Sequence, residues 1–113
     1  MVKKDLAKKI EEIGVGFVGL YLMELVDNYE QIIDSETRDD FMDYFYEEYM
    51  EEVMDRKKAT KKVDMTLDII KSGLVFDAIE YVVSSRKANK EAKESAKYLK
   101  QLLENGDSVL PTL

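Results

Sequence analysis

The chain has 113 residues, of which 24 are acidic and 17 are basic, so its formal net charge is −7. It contains neither cysteine nor histidine, which excludes disulfides, thiolate metal sites, cysteine nucleophiles and the commonest general base. The negative charge disfavours nucleic acid and anionic lipid as partners. Because the length is enough for one core, we expect a single helical domain over 1–113.

The composition suits long helices better than strands. The sequence has one proline and five glycines, too few for the frequent turns of a sheet protein. We therefore predict an all-α fold, an antiparallel bundle of four to five helices. The uncharged run at 13–23 is shorter than the roughly 20 apolar residues of a membrane helix, so we expect a cytoplasmic protein without a membrane segment.

Three glycines mark the boundary between the first two predicted helices. The first helix should cover about 3–13, and the second should run from the glycines to Ile33. Gly14, Gly16 and Gly19 match the G-x-G-x-x-G pattern of dinucleotide-binding folds, but a charged helix precedes them instead of the required strand. We therefore expect no cofactor. The glycines should begin or bend the second helix and allow another backbone to approach closely, and the pattern leaves open whether the two helices are continuous.

Three further helices are predicted along the rest of the chain. The third should cover about 36–58, because N-capping residues precede it and three basic residues at 56–58 suit its negative end. The fourth, about 60–85, is expected to be the central helix. The fifth should cover about 89–104 and stop at Gly106, and the tail, 107–113, should be extended.

The fourth predicted helix is apolar on two sides, which is typical of a helix between neighbours or of one paired with a second copy. One face carries Val63, Leu67, Ile70, Leu74 and Tyr81. The other face carries Met65, Ile69, Phe76, Ile79 and Val83. A homodimer through the second face is therefore an open alternative.

The third predicted helix is strongly acidic. Between positions 34 and 55 there are ten acidic residues and one basic residue, a local net charge of −9. On a continuous α-helix, Asp40, Asp43, Glu47, Glu51 and Asp55 would form one stripe with steps of about 5 to 6 Å. These steps are close to the ~7 Å between phosphates along one nucleic-acid strand.

Two apolar residues, Tyr44 and Met54, fall within this acidic face and should be exposed contact residues. The partner-binding residues predicted from the sequence are Asp40, Asp43, Tyr44, Glu47, Glu48, Glu51, Met54 and Asp55. The sequence singles out no catalytic, cofactor-binding or metal-ligating residue. A calcium loop of the D-x-D-x-D-G type does not occur, and a ferritin-like di-iron site would need histidine.

These features favour a non-enzymatic protein that binds a basic surface of another protein through the acidic helix. It would act as a nucleic-acid mimic or inhibitor, such as an anti-defence protein of a phage or mobile element. One alternative is a homo-oligomeric structural or regulatory protein whose acidic face only confers solubility and is neutralised by its own lysines. Another is weak nucleic-acid binding through Lys90, Lys93, Lys97 and Lys100 of the fifth helix.

Overall fold

The computed structural model describes residues 2–111, and within that range every regular element is helical. The α-helices are α1 (Leu6–Ile13), α2 (Val15–Asp27), α3 (Tyr29–Ile33), α4 (Arg38–Phe45), α5 (Arg56–Lys71), α6 (Val75–Ser84) and α7 (Lys90–Asn105). A 3-10 turn, Lys3–Asp5, precedes α1, and a π-helix, Tyr46–Met50, follows α4. The predicted all-α class is confirmed.

Helix α2 lies at the middle of the helical packing. It contacts α1, α3, α5, α6 and α7, and its side chains Val18, Leu22 and Leu25 are fully or almost fully buried. A helix so apolar on most of its circumference is stable only when neighbours surround it. Helices α5 and α6, which replace the single helix expected at 60–85, both pack on α2.

Glycines with positive φ separate two pairs of helices. Gly14 has φ of +114° between α1 and α2, and Gly73 has φ of +72° between α5 and α6. Both values lie in the region that glycine adopts without steric cost. The first two helices are therefore discontinuous at Gly14. The helix predicted at 60–85 is divided at Gly73, and the prediction missed this break.

The glycine pair within α2 has two different environments. A Cβ atom at Gly19 would lie 2.8 Å from Cβ of Ala92 and 2.9 Å from Cγ1 of Val82, whereas one at Gly16 would have no neighbour within 4 Å. The predicted close approach is therefore confirmed at Gly19, where α7 packs on α2, and is wrong at Gly16. Only Gly19 is required by packing.

Helix α7 agrees with its prediction to within one residue at each end. The side chain of Asn89 accepts a hydrogen bond from the backbone N–H of Ala92, at 2.9 Å, and Gly106 ends the helix in a left-handed conformation with φ of +80°. Both are strong local signals. The described part of the tail, 107–111, contains no helix, and residues 112 and 113 lie outside the described range.

The second apolar face predicted for 60–85 is largely buried inside the molecule. Ile69 and Ile79 are fully buried, Met65 and Val83 are partly buried against the core, and only Phe76, at 40% exposed, reaches solvent substantially. The break at Gly73 lets α5 and α6 each bury both of their apolar sides. Of the five residues of this face, only Phe76 therefore remains substantially exposed for the homodimer that the sequence left as an open alternative.

No helix among residues 2–111 combines the length and the apolar character needed to cross a lipid bilayer.

Candidate interaction surface

The acidic segment does not form the continuous α-helix predicted at 36–58. α4 ends at Phe45, and a π-helix continues to Met50, with the N–H of Glu51 donating to the carbonyl of Tyr46 at 2.8 Å. Five residues make about one π turn, so Phe45 and Met50 both point into the core, where they are 0% and 1% exposed. An unbroken α-helix would turn these two side chains apart.

A new helix begins at Arg56 because Asp55 caps it. The backbone of Asp55 is extended, and its Oδ1 accepts a hydrogen bond from the N–H of Lys58 at 2.8 Å. The basic residues at 56–58 therefore lie at the positive end of α5. They do not lie at the negative end of the preceding helix, as was predicted from the sequence. The prediction was wrong because Asp55 also fits the acidic pattern, which hid its capping role.

The predicted phosphate-like stripe is consequently not formed. Its regular spacing needed one α-helix through Asp40, Asp43, Glu47, Glu51 and Asp55, and these residues are instead divided among α4, the π-helix, a turn and the cap of α5. The acids still share the property that each is exposed to solvent. We call them the acidic surface: Asp34, Glu36, Asp39, Asp40, Asp43, Glu47, Glu48, Glu51, Glu52 and Asp55.

Few cations of the protein itself reach the acidic surface. Arg56 pairs with Asp43, and the other nine acids form no ion pair with any residue in 2–111. Arg38, the one basic residue within 34–55, turns away to Asp64, with its Nη2 2.5 Å from Oδ1 of Asp64. Intramolecular ion pairs therefore leave nine of these ten carboxylates unneutralised.

The lysines of α7 form contacts elsewhere. Nζ of Lys100 lies 2.8 Å from Oε1 of Glu80, and Nζ of Lys90 lies 3.9 Å from Oε1 of Glu94. Among the residues that the structure describes, Lys93 and Lys97 are the two members of the predicted nucleic-acid-binding set without an ion pair. Two of the four lysines in this set are therefore paired with carboxylates of the same molecule.

The exposed apolar residues beside the acids differ in part from the prediction. Tyr44 is 48% exposed, as predicted, but Met54 is partly buried and packs against the core, so its predicted exposure is wrong. Val53 is 68% exposed instead. The helical phase failed here because 51–54 form a turn, in which side chains do not advance by a constant angle.

A cluster of aromatic side chains packs around Phe45, the buried residue at the end of α4 in the acidic segment. The ring of Phe45 lies 5.4 to 6.2 Å, centroid to centroid, from the rings of Phe17, Tyr21, Phe41 and Tyr49. These separations are typical of favourable aromatic pairs. Such a cluster was not recognised in the sequence, because its members come from α2, α4 and the π-helix.

Two tyrosines connect this cluster to solvent. The hydroxyl oxygens of Tyr44 and Tyr49 are 3.5 Å apart, at the outer limit of a hydrogen bond. This contact, together with burial and the negative charges of Glu24 and Glu48, holds the pKa of the Tyr49 hydroxyl well above its usual range. Tyr49 is therefore a neutral hydroxyl group at physiological pH, and the charge of this region comes from its carboxylates.

The capping role of Asp55 can be separated from its charge. Asp55→Ala should lower the free energy of unfolding by about 1 kcal/mol, because the N–H of Lys58 loses its side-chain acceptor. Asp55→Asn keeps an equally good cap while removing the charge, so its stability should remain close to that of the wild type. Urea denaturation monitored by circular dichroism measures both. Equal losses in the two variants would show that the charge, not the cap, stabilises α5.

The carboxylates of the π-helix and the following turn border a shallow cleft of about 310 Å³, lined by Glu47, Glu48, Tyr49, Glu51, Glu52 and Val53. No group of three or more acidic side chains within 2–111 is arranged to hold a metal ion. The cleft is open to solvent and presents carboxylate oxygens, which accept hydrogen bonds from arginine and lysine side chains. The cleft is therefore a negatively charged surface of hydrogen-bond acceptors.

Comparison with known proteins assigns no family to the chain. No family model matches it, and neither the curated proteins nor the solved structures give a significant match.

Proposed function

We propose that the protein functions by binding a basic surface of another protein through its acidic surface. The observation that carries this proposal is the set of ten exposed carboxylates, only one of which, Asp43, is paired with a cation within the described residues. Closely spaced like charges destabilise a helix. Cations supplied by a partner would relieve that repulsion on binding.

The distribution of charge over the chain supports the same proposal. Residues 34–55 carry −9 while the rest of the sequence carries +2, which together give the net charge of −7. A field concentrated on one surface steers an oppositely charged partner and orients it during the encounter. Tyr44 and Val53 would add apolar contact area at the same place, as exposed residues within the charged region.

The class of partner follows from the chemistry of the surface. Dense carboxylates suit a protein whose basic surface holds nucleic acid, and an inhibitor of the kind that phages or mobile elements direct against nucleases would act in this way. The regular phosphate-like spacing of the acids does not support this form of the proposal, because the predicted continuous helix is divided. Competition with duplex DNA tests this form of the proposal. If the protein occupies the nucleic-acid site of its partner, DNA should displace it from the partner; if it binds another basic site, the complex should persist.

Charge reversal provides the test of the proposal. The triple variant Asp40→Lys, Glu47→Lys, Glu51→Lys should lose at least about tenfold in affinity for the partner, because attraction becomes repulsion. Asp43 is left unchanged because it pairs with Arg56. The measurement compares proteins retained from a lysate of the encoding organism by immobilised wild type and variant, followed by titration of the retained partner.

A matched control carries the same change of net charge at distant sites. Glu12→Lys, Glu94→Lys, Glu104→Lys alters three exposed acids outside the acidic surface. Its affinity should stay within about twofold of the wild type, since exposed charges far from a contact are screened. Equal loss in both triple variants would mean that net charge, and not this surface, determines binding, and unchanged binding by the first variant would overturn the proposal.

A further inference from the structure

We propose that the acidic surface also binds a second copy of this chain, in a two-fold symmetric dimer centred near Val53. The basis is a cluster of basic residues that directly follows the acids in sequence, at the start of α5, and whose first member, Arg56, pairs with Asp43. We call this cluster the basic turn: Arg56, Lys57, Lys58 and Lys61. All four are exposed.

The basic turn is placed where its own helix does not favour it. Cations at the N-terminus of a helix face the positive end of the helix dipole, which costs stability. Arg56 reaches Asp43, whereas Lys57, Lys58 and Lys61 form no ion pair with any residue in 2–111. The three lysine side chains are therefore exposed cations that the fold leaves without carboxylate partners.

Unpaired charges of the opposite sign lie on the other side of the same turn. Glu48 and Glu52 border the cleft of about 310 Å³ that Val53 also lines, and neither forms an ion pair with a residue in the described range. Asp55, between the two clusters in sequence, is engaged as the cap of α5. Acids and bases within fourteen positions of each other thus remain mostly unpaired inside one molecule.

A surface with a negative patch beside a positive patch is complementary to itself under a two-fold rotation. In such a contact the acids of one copy meet the basic turn of the other, and the reciprocal contact forms at the same time. Val53, 68% exposed and between the two patches in sequence, would lie near the axis and pack against its equivalent. This is charge complementarity with a second copy, and it needs no further apolar groove.

The contact area around one turn is small, so the association should be weak and sensitive to salt. The dimer does not depend on the proposed function, although the two share the acidic surface. A basic partner would have to displace the second copy before binding. Sedimentation velocity over a concentration series, at about 50 mM and about 500 mM salt, should show a dimer that is lost in the stronger electrolyte.

Paired charge reversals identify the interface. Two double variants are needed: one carries Glu48→Lys and Glu52→Lys, and the other carries Lys57→Glu and Lys61→Glu. Each should weaken self-association at least about tenfold, since like charges then face each other. An equimolar mixture of the two should form a heterodimer. The quadruple variant, which keeps the net charge of the wild type, should recover the homodimer. Circular dichroism confirms that each variant is folded.

Two matched variants control for net charge alone. One control carries Glu12→Lys and Glu104→Lys, and the other carries Lys4→Glu and Lys97→Glu, so that the same charge changes are made at other exposed positions. Each control should dimerise as the wild type does. A wild type that stays monomeric in low salt overturns the inference, as does a quadruple variant that stays monomeric while the wild type dimerises. Either result leaves the proposed function standing, because that proposal is tested separately, by partner capture with the triple variant Asp40→Lys, Glu47→Lys, Glu51→Lys and its matched control.

Discussion

Replacement of Phe45 by alanine should lower the free energy of unfolding by about 3–5 kcal/mol. Phe45 is fully buried, and its ring contacts four other aromatic rings from α2, α4 and the π-helix. Removal of the ring leaves a cavity that rigid aromatic neighbours fill poorly. Because small domains have a total stability of about 5–15 kcal/mol, this single change should bring the protein close to unfolding in water. Urea denaturation measures the loss.

Tyr44→Ala is the matched control, since Tyr44 is the immediate neighbour of Phe45 but is 48% exposed. It should cost about 1 kcal/mol or less, the usual size of a surface effect. If Phe45→Ala cost no more than this control, the aromatic cluster would not be the support of the acidic surface. The π-helix would then owe its shape to another contact.

Gly19→Ala should lower the free energy of unfolding by about 1–3 kcal/mol, although alanine is the better helix former. The new methyl group would lie 2.8 Å from Cβ and 2.9 Å from the carbonyl oxygen of Ala92. The carbonyl belongs to the backbone of α7 and cannot rotate away, so α7 must move from α2. Thermal unfolding or urea titration detects the change.

Gly16→Ala provides the comparison within the same helix. No atom lies within 4 Å of the added methyl group, so the variant should gain up to about 1 kcal/mol from helix propensity alone. The two substitutions are chemically identical, and they should change the free energy of unfolding in opposite directions. Similar effects at both positions would contradict the close packing of α2 against α7.

The parts of the fold that were predictable from the sequence are those with strong local signals. Asn89 and Gly106 bound α7, and Gly14 marks the predicted boundary of α1 and α2, because capping and positive φ depend mainly on the residue itself. Whether α1 and α2 are continuous was left open by the sequence, and the structure separates them. The all-α class followed from composition and apolar spacing. In each case a few adjacent residues carry enough information to determine the local conformation.

The parts that were missed depend on tertiary contacts. The π-helix exists because Phe45 and Met50 both face the core, and no residue in 46–50 signals such a turn locally. The assignment of α2 to the middle of the packing likewise depends on which helices meet. The break at Gly73 coincides with a positive φ of +72° at a glycine, and the prediction of one helix over 60–85 ran through it. Helical periodicity alone gives one angle per residue, and it cannot register an added residue in a turn.

The candidate site shows the same division. The acidic charge and the exposure of Tyr44 could be predicted, because charged residues remain at the surface and Tyr44 lies within an α-helix. Met54 was predicted to be exposed but is partly buried, and Val53 is exposed instead, since the helical phase was carried through a turn. Asp55 was assigned to the partner-binding set by charge, while the structure shows that its carboxylate caps α5.

The most direct measurement of the central claim is the salt dependence of partner capture by the immobilised wild-type protein. Basic proteins should be retained from the lysate at about 50 mM salt and released at about 500 mM, because the contact depends on exposed charges. Titration of the released partner should then show affinity falling steadily as salt rises. Retention of the same proteins at both salt concentrations, or of proteins without basic surfaces, would contradict the claim that the acidic surface is the binding site.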